Sequence, residues 1–208
     1  MRPLLRRLFL KYSSFRHVTV QIWNRWFFNC IESLPLESLS LGNKCCFHAP
    51  VRLADGRGKL QIGEENGFGY FYAPKSGDGA LMIQPRKSGS EIIIGNKNWF
   101  SNNVTIIANE KIVFGNGCRI GDSASFFDCD FHEMDPAHRG RSHGPTCPVT
   151  IGNNVWIGSR VTVLKGVTIG DNSVVGAMSL VTRSIPADCI AAGNPARVIS
   201  QLQSAGLM

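Results

Sequence analysis

The chain has 208 residues, 43% of them hydrophobic, and carries a formal net charge of +7. At this length we expect one domain with an appendage and enough chain to bury a substantial core. The composition excludes a transmembrane helix, since nothing reaches roughly 18 uninterrupted apolar residues. No nucleic-acid-binding motif accompanies the positive charge. We therefore expect a soluble, cytoplasmic protein without a nucleic-acid partner.

Seven cysteines occur, and no Cys-x-x-Cys metal pair is among them. We interpret them as reduced, mostly buried side chains in a reducing compartment. Cys129 and Cys147 lie near the candidate site described below, but no clear activating partner favours a nucleophilic role for either.

Residues 1–40 are predicted to form a basic amphipathic helical arm. The apolar stripe with helical spacing consists of Leu4, Leu5, Leu8, Tyr12 and Phe15. The polar side is basic, and residues 1–50 hold five of the seven net positive charges. Such an arm would cap the rest of the molecule or pack on a neighbouring subunit. Alternatively, residues 1–30 would contact an anionic membrane surface.

Residues 41–185 are predicted to form a β-helix, because aliphatic residues recur every six positions from Val149 to Val181. One phase consists of Ile151, Ile157, Val163, Ile169, Val175 and Val181, and a second of Val149, Val155, Val161 and Val167. Helices repeat near 3.6 and half-buried strands near 2, so six fits neither. It is typical of hexapeptide-repeat β-helices, with Gly, Asn and Asp at the corners of a triangular prism. An all-β sandwich with evenly spaced strands is the alternative.

The six-residue period stops at residues 128–148. This polar segment holds three of the five histidines in the chain: His132, His138 and His143. Structureless loops longer than about 12–15 residues are uncommon in compact domains and are usually functional. A regular repeat that extrudes one long polar loop therefore indicates a functional site.

Residues 186–208 are predicted to form a C-terminal cap. We expect a short helix between Ala191 and Leu202 that covers the last open edge of the β-helix.

Four motifs together resemble a known family. They are Asp128-Cys-Asp-Phe-His132, Thr150-Ile-Gly-Asn-Asn-Val-Trp156-Ile-Gly-Ser159, Gly166-Val-Thr-Ile-Gly170-Asp-Asn-Ser173 and Ala192-Gly-Asn-Pro-Ala-Arg197. Over residues 92–200 the chain resembles hexapeptide-repeat acyltransferases of the galactoside/maltose acetyltransferase type, especially polysaccharide and lipopolysaccharide O-acetyltransferases. The resemblance implies an all-β, left-handed parallel β-helix, acetyl-CoA as co-substrate without a metal, and a homotrimer with active sites between subunits.

The resemblance also implies roles for individual residues. His132 matches the catalytic base, and a histidine suits that role because its side chain titrates near neutral pH. Asn102 and Glu110 match positions that contact the acceptor hydroxyls. The positions that bind CoA are Trp156, Ser159, Ala177, Thr182, Arg183 and Arg197. A backbone N–H at a coil corner, at Ser159 or its neighbour, would hold the oxyanion. Gly144 replaces a frequent methionine of the family, which leaves the acceptor open.

Together these features predict an acetyl-CoA-dependent O-acetyltransferase. Its acceptor would be a sugar hydroxyl of a surface polysaccharide or its precursor, offered as a small or lipid-linked saccharide. Direct transfer is expected, since no Ser-His-Asp or Cys-His arrangement is evident. The alternatives are an N-acetyltransferase acting on an amino sugar, a non-catalytic scaffold, and a hydratase with zinc on His132, His138 and His143.

Overall fold

The computed structural model describes residues 36–53, 56–141 and 143–202 of the chain. Within these ranges every regular element is a β-strand. The predicted helical arm over residues 1–40 falls almost entirely outside them and stays a prediction. No helix in the described ranges is long and apolar enough to cross a membrane.

The described strands form three sheets, and strands β1 to β18 enter sheets 1, 2 and 3 in strict rotation. Sheet 1 consists of β1 (Ser38–Leu41), β4 (Lys59–Ile62), β7 (Glu91–Ile94), β10 (Lys111–Phe114), β13 (Val149–Ile151) and β16 (Thr168–Ile169). Sheet 2 consists of β2 (Cys46–Phe47), β5 (Gly67–Phe68), β8 (Trp99–Phe100), β11 (Arg119–Ile120), β14 (Trp156–Ile157), β17 (Val174–Val175), β19 (Cys189–Gly193) and β20 (Ala196–Gln201). Sheet 3 consists of β3 (Val51–Arg52), β6 (Leu81–Pro85), β9 (Thr105–Ala108), β12 (Ser125–Phe127), β15 (Thr162–Val163) and β18 (Leu180–Val181).

Neighbouring strands in each sheet are parallel, apart from the last pair of sheet 2. Thr150 lies opposite Thr168, so one coil here takes three hexapeptides. The fold is the left-handed parallel β-helix that the period and the resemblance predict. Its first strand begins at Ser38, so the β-helix starts slightly before the predicted residue 41.

The interior of the coils is built from the residues that define the period. Both predicted aliphatic phases are at most 1% exposed, which confirms that the repeat marks the core. Towards the N-terminal coils the core becomes aromatic. Ring centroids 4.9–5.3 Å apart link Phe47, Phe68, Phe100, Phe114 and Phe126 in one continuous column. Packed aromatic pairs of this kind stabilise a core beyond the area that they bury.

Amide side chains bridge successive coils at the corner between sheets 1 and 2. We call this set, which consists of Asn96, Asn116, Asn153 and Asp171, the corner ladder. The side-chain oxygen of each of the last three accepts the backbone N–H of the member before it, at 2.7–2.9 Å. Asp171, the last rung described, is the only carboxylate in the ladder. These bonds satisfy backbone groups at corners, where no strand partner is available.

The C-terminal end differs from the sequence-based expectation. Residues 191–202 were expected to contain a short helix, whereas β19 and β20 form an antiparallel hairpin at the edge of sheet 2. The turn contains Gly193, at φ +104°, and Pro195 after a cis peptide bond. Such a Gly-Asn-Pro turn before the β-branched pair Val198-Ile199 is a hairpin signal. The hairpin still covers β17, as a cap would.

Candidate active site

The loop of residues 128–148 leaves the prism at the corner between sheets 3 and 1. Asp128 at its base is fully buried, and its carboxylate accepts the backbone N–H groups of Asn109, Glu110 and Lys111 at 2.7–2.8 Å. At the other end of the loop, the Thr146 hydroxyl donates to the Glu110 carboxylate at 2.8 Å. Both ends of the loop are therefore tied to the same preceding corner.

His132 lies on this loop with an exposed side chain. Its Nδ1 lies 3.1 Å from the carbonyl oxygen of Arg139. A carbonyl oxygen only accepts, so the proton of the neutral imidazole must be on Nδ1. Nε2 then carries the lone pair and is able to accept a proton. This is the arrangement that a general base requires.

Side-chain contacts hold the backbone around His132. Lys165 Nζ donates to Asp130 at 2.6 Å, and both side chains are about three-quarters buried. Phe131 packs edge-on against Phe127, with ring centroids 5.4 Å apart, and the Arg86 guanidinium lies 4.8 Å from its ring centroid. These contacts fix the two residues that precede the histidine against the prism.

Gly144 is buried against the same segment. A Cβ built on it would lie 2.5 Å from the His132 carbonyl oxygen and 2.7 Å from Asp130 Cβ. Backbone and a short side chain cannot withdraw from such a contact without moving the loop. The glycine that replaces the family's methionine therefore has a packing role in this chain.

Cys129 of the loop is not suited to act as a nucleophile with His132. Burial, assisted by the neighbouring Asp128 carboxylate, raises the pKa of the Cys129 thiol to about 11. Cys129 therefore stays protonated at neutral pH, and a thiol is a poor nucleophile compared with its thiolate.

The three loop histidines do not converge. His138 Nδ1 lies 2.6 Å from an oxygen of the Asp135 carboxylate, and His132 Nδ1 is hydrogen-bonded to the Arg139 carbonyl oxygen. Among the described residues, no three His, Cys, Asp or Glu side chains are grouped so that they could hold a metal ion.

The two predicted acceptor residues lie at different corners of the prism. Asn102, at the corner between sheets 2 and 3, is fully buried. Its side-chain oxygen accepts the backbone N–H of Tyr70, and its side-chain amide nitrogen donates to the carbonyl oxygens of Tyr70, Ala73 and Pro74. Glu110, at the corner between sheets 3 and 1, is exposed beside the loop. Asn102 thus holds a neighbouring loop, while the Glu110 carboxylate is accessible; a contact of either residue with an acceptor stays a prediction.

Two predicted CoA-binding residues are neighbours along the corner between sheets 2 and 3. The Met178 N–H donates to the Ser159 carbonyl at 2.8 Å, and the Ser159 hydroxyl donates to Asp122 at 2.5 Å. The N–H groups of Ser159 and Ala177 donate to no described residue. Each faces a glycine of the preceding coil, Gly121 or Gly158, where a Cβ would lie 2.5–2.6 Å from the nitrogen. These glycines leave a row of accessible backbone donors, which suits the carbonyl groups of a pantetheine arm.

The other predicted CoA-binding residues are spread over the surface. Trp156 projects from sheet 2 and is 58% exposed. Thr182 and Arg183 are exposed after β18, at the corner between sheets 3 and 1. Arg197 is exposed on the C-terminal hairpin, where its Nη1 donates to the Ala196 carbonyl at 2.8 Å. The structure therefore brings Ser159 and Ala177 together, keeps Trp156 in the same coil as Ser159, and places Thr182 and Arg183 at another corner.

A groove on the outer face of sheet 2 was missed by the sequence reasoning. Its volume is about 490 Å³, and its lining is Tyr70, Trp99, Ser101, Arg119, Ile120, Gly121 and Trp156. No residue of the 128–148 loop is among them. Trp99, Arg119 and Trp156 directly precede buried strand residues, so their outward direction was a signal that could have been used.

Comparisons with known proteins agree with this fold. Residues 148–183 match the family model described as bacterial transferase hexapeptide (six repeats). The chain is similar to galactoside O-acetyltransferase of Escherichia coli, with 43% identity over 115 residues. That alignment covers 55% of this chain and 56% of the relative, so the chain spans little more than half of the protein it matches.

Two solved structures share the fold at low sequence identity. A hexapeptide-repeat acetyltransferase of Vibrio cholerae, complexed with acetyl coenzyme A, superposes with a TM-score of 0.58 at 24% identity. The alignment covers 95% of this chain and 85% of that one. A variant of the Bacillus cereus N-acyltransferase AntD, in complex with dTDP and coenzyme A, gives 0.60 at 18% identity over 81% of this chain and 85% of that one.

The fold, the repeat and these matches define a class of protein. The chain contains a hexapeptide-repeat domain of the bacterial transferase type, whose relatives are named acetyltransferases.

Proposed function

We propose that this protein is an acetyl-CoA-dependent O-acetyltransferase that acts on a sugar hydroxyl, with His132 as the general base. The observation that carries the proposal is the hydrogen bond from His132 Nδ1 to the Arg139 carbonyl, which leaves Nε2 as an exposed proton acceptor. The similarity to a galactoside O-acetyltransferase over 115 residues supports the same reaction class.

The chain's own groups supply what acyl transfer to a hydroxyl requires. Acetyl-CoA supplies the acetyl group as a thioester. His132 Nε2 takes the proton of the acceptor hydroxyl as its oxygen bonds to the thioester carbonyl carbon. The accessible N–H of Ser159 stabilises the negative charge that develops on the carbonyl oxygen. When the carbon–sulfur bond breaks, the imidazolium returns the proton to the departing sulfur, so protons and charges balance.

The active site is proposed to lie between two copies of the chain in a homotrimer. The loop that carries His132 leaves the prism at the corner between sheets 3 and 1. Ser159 and Ala177 lie at the corner between sheets 2 and 3. Because the base and the donor row are at different corners, a neighbouring copy offers a direct way to bring them together.

The acceptor is proposed to be part of a surface polysaccharide or its precursor. The exposed loop and the aromatic groove on sheet 2 suit a saccharide that is soluble or linked to a lipid. Cytoplasmic location and contact of residues 1–30 with the inner face of the membrane stay predictions from the sequence.

Substitution of the base tests the proposal. His132→Ala should lower kcat for acetyl transfer by about 100- to 10,000-fold, because a positioned base contributes that much. The affinity for acetyl-CoA should not change. Release of the CoA thiol, measured with a panel of soluble and lipid-linked sugars, gives kcat, and calorimetry gives the affinity.

His138→Ala is the matched control, since His138 is an exposed histidine of the same loop and its ring pairs with Asp135. It should keep kcat near the parent value. Full turnover by His132→Ala would remove His132 from the base role.

A further inference from the structure

The groove on sheet 2 has fixed aromatic walls. Trp99 and Trp156 lie on β8 and β14, with β11 between them, so two strand spacings of about 10 Å in total separate their backbones. Both lie in register with Arg119, one on each side. Tyr70 closes one side and is 47% exposed, and its backbone is held at both N–H and carbonyl by the buried Asn102 amide.

Trp99 forms one wall of the groove, and its indole N–H is unpaired among the described residues. Its indole lies flat over Gly67 of the preceding coil, where a Cβ would come within 2.6 Å of the ring. Trp99 Nε1 is buried and has no hydrogen-bond partner among the described residues. A buried indole N–H usually finds a partner, so one on a groove-lining residue indicates that a ligand or water completes it.

Arg119 places a fixed positive charge in the groove. Its Nη1 donates to the carbonyl oxygens of Lys97, Gly117 and Cys118 at 3.0–3.1 Å. These three bonds hold the guanidinium in place, while Nε and Nη2 bond no described residue. No described carboxylate pairs with Arg119. A held guanidinium with free donors is suited to bind a carboxylate or phosphate.

The groove adjoins the proposed donor row. Gly121 forms part of its floor and is the residue that leaves the Ser159 N–H accessible. Trp156 forms a wall in the same coil as Ser159. A molecule in the groove would therefore lie beside the thioester carbonyl that the Ser159 N–H is proposed to hold.

We infer that this groove binds the acceptor and selects an acidic saccharide. The ring faces of the sugar pack on the indoles of Trp99 and Trp156, and a carboxylate or phosphate substituent pairs with Arg119. The Ser101 hydroxyl supplies a further donor to ring and hydroxyl oxygens. The inference rests on the proposed function for the reaction, but the binding preference is testable without it.

Binding of a matched pair of sugars tests the inference. The probes are a galacturonic acid tetrasaccharide, the same tetrasaccharide after reduction of its carboxylates to alcohols, and a hexose phosphate. Quenching of tryptophan fluorescence should show that the parent protein binds an anionic probe at least about tenfold more tightly than the reduced one, since a charge-assisted bond is worth that much. The stronger of the two anionic probes identifies carboxylate or phosphate as the substituent.

Three variants locate the binding. Arg119→Gln should abolish the preference for the anionic probes and keep the affinity for acetyl-CoA. Arg57→Gln removes the same charge from an exposed position before β4 and should leave the preference intact. Trp99→Phe replaces the indole wall with a smaller ring, and should weaken binding of the acidic and the reduced probe alike.

Other outcomes overturn the inference and leave the proposed function standing. Equal binding of the acidic and reduced tetrasaccharides, or an unchanged preference in Arg119→Gln, would show that Arg119 selects no anion. Competition between acetyl-CoA and the acidic probe would assign the groove to the donor. In either case, His132-dependent acetyl transfer to a neutral sugar would still be observed if the proposed function is correct.

Discussion

Gly144 shows how a single residue controls the position of the proposed base. From the sequence alone, its difference from the family's methionine bears on the acceptor. In the structure, its Cα packs against the backbone of His132 and Asp130, and there is no room for a Cβ. Since a misplacement of about 1 Å can reduce a rate about 100-fold, this contact matters for catalysis.

Gly144→Ala should lower kcat by about 10- to 100-fold through displacement of His132. The KM for acetyl-CoA should stay near the parent value, because Ser159 and Ala177 lie at another corner. Gly140→Ala is the control in the same loop, since a Cβ there meets nothing within 4 Å. Steady-state kinetics of both variants check the prediction, and equal kcat values for the two would contradict it.

At the scale of the elements, the corner ladder joins coils that are held together inside by apolar contacts. Each rung satisfies a backbone donor on the coil before it, as Asp171 does by accepting the backbone N–H and the side-chain amide N–H of Asn153. The backbone and side-chain hydrogen bonds from Asn153 lower the pKa of the Asp171 carboxyl below its usual value. The ladder is therefore sensitive to pH at this one rung.

A carboxyl whose pKa is lowered by folding stabilises the folded state above its unfolded pKa, and this contribution is lost as the pH falls through the folded pKa. Below about pH 4, the free energy of unfolding of the parent protein should therefore decrease, and that of Asp171→Asn should decrease less. The free energies of unfolding of the two proteins should differ by less than about 1 kcal/mol, because the Asp171 side chain faces water. Urea unfolding between pH 3 and 6 measures it.

Glu133→Gln is the control for this measurement, since the Glu133 carboxylate makes no hydrogen bond to a described residue. The explanation fails if Asp171→Asn and Glu133→Gln have the same pH profile.

At the scale of the whole molecule, the site residues divide into two groups. One group, around His132 and Glu110, lies between sheets 3 and 1; the other, around Trp156 and Ser159, lies on sheet 2 and its corner with sheet 3. This division follows from the path of the chain, because the long loop leaves where β12 ends. We expect two copies of the chain to complete each active site.

Mixing inactive variants tests that expectation. His132→Ala and Trp156→Ala should each have little activity alone. When they are unfolded, mixed in equal amounts and refolded, about a quarter of the sites in a random trimer should combine two intact halves and regain activity. Each variant refolded alone is the control. A mixture no more active than the separate variants would place each site within one chain.

The sequence by itself determined the β-helix, its interior columns and the loop that carries His132. The reason is that a coil is a local structure: a period of six decides which side chains point inwards, and an interruption of that period is visible in one chain. The hairpin at β19 and β20, where a helix was expected, had a local turn signal that the helix prediction overlooked.

Only the tertiary structure decided which distant residues meet. Coil length varies, since long loops intervene between β5 and β6 and between β12 and β13, so sequence spacing does not show what stacks on what. Three features therefore became visible only once the coils were stacked. They are the groove of Tyr70, Trp99, Arg119 and Trp156, the burial of Asn102 under the 70–74 segment, and the packing of Gly144 on His132. Contacts between coils depend on three-dimensional register, which the six-residue period gives only where no long loop interrupts it.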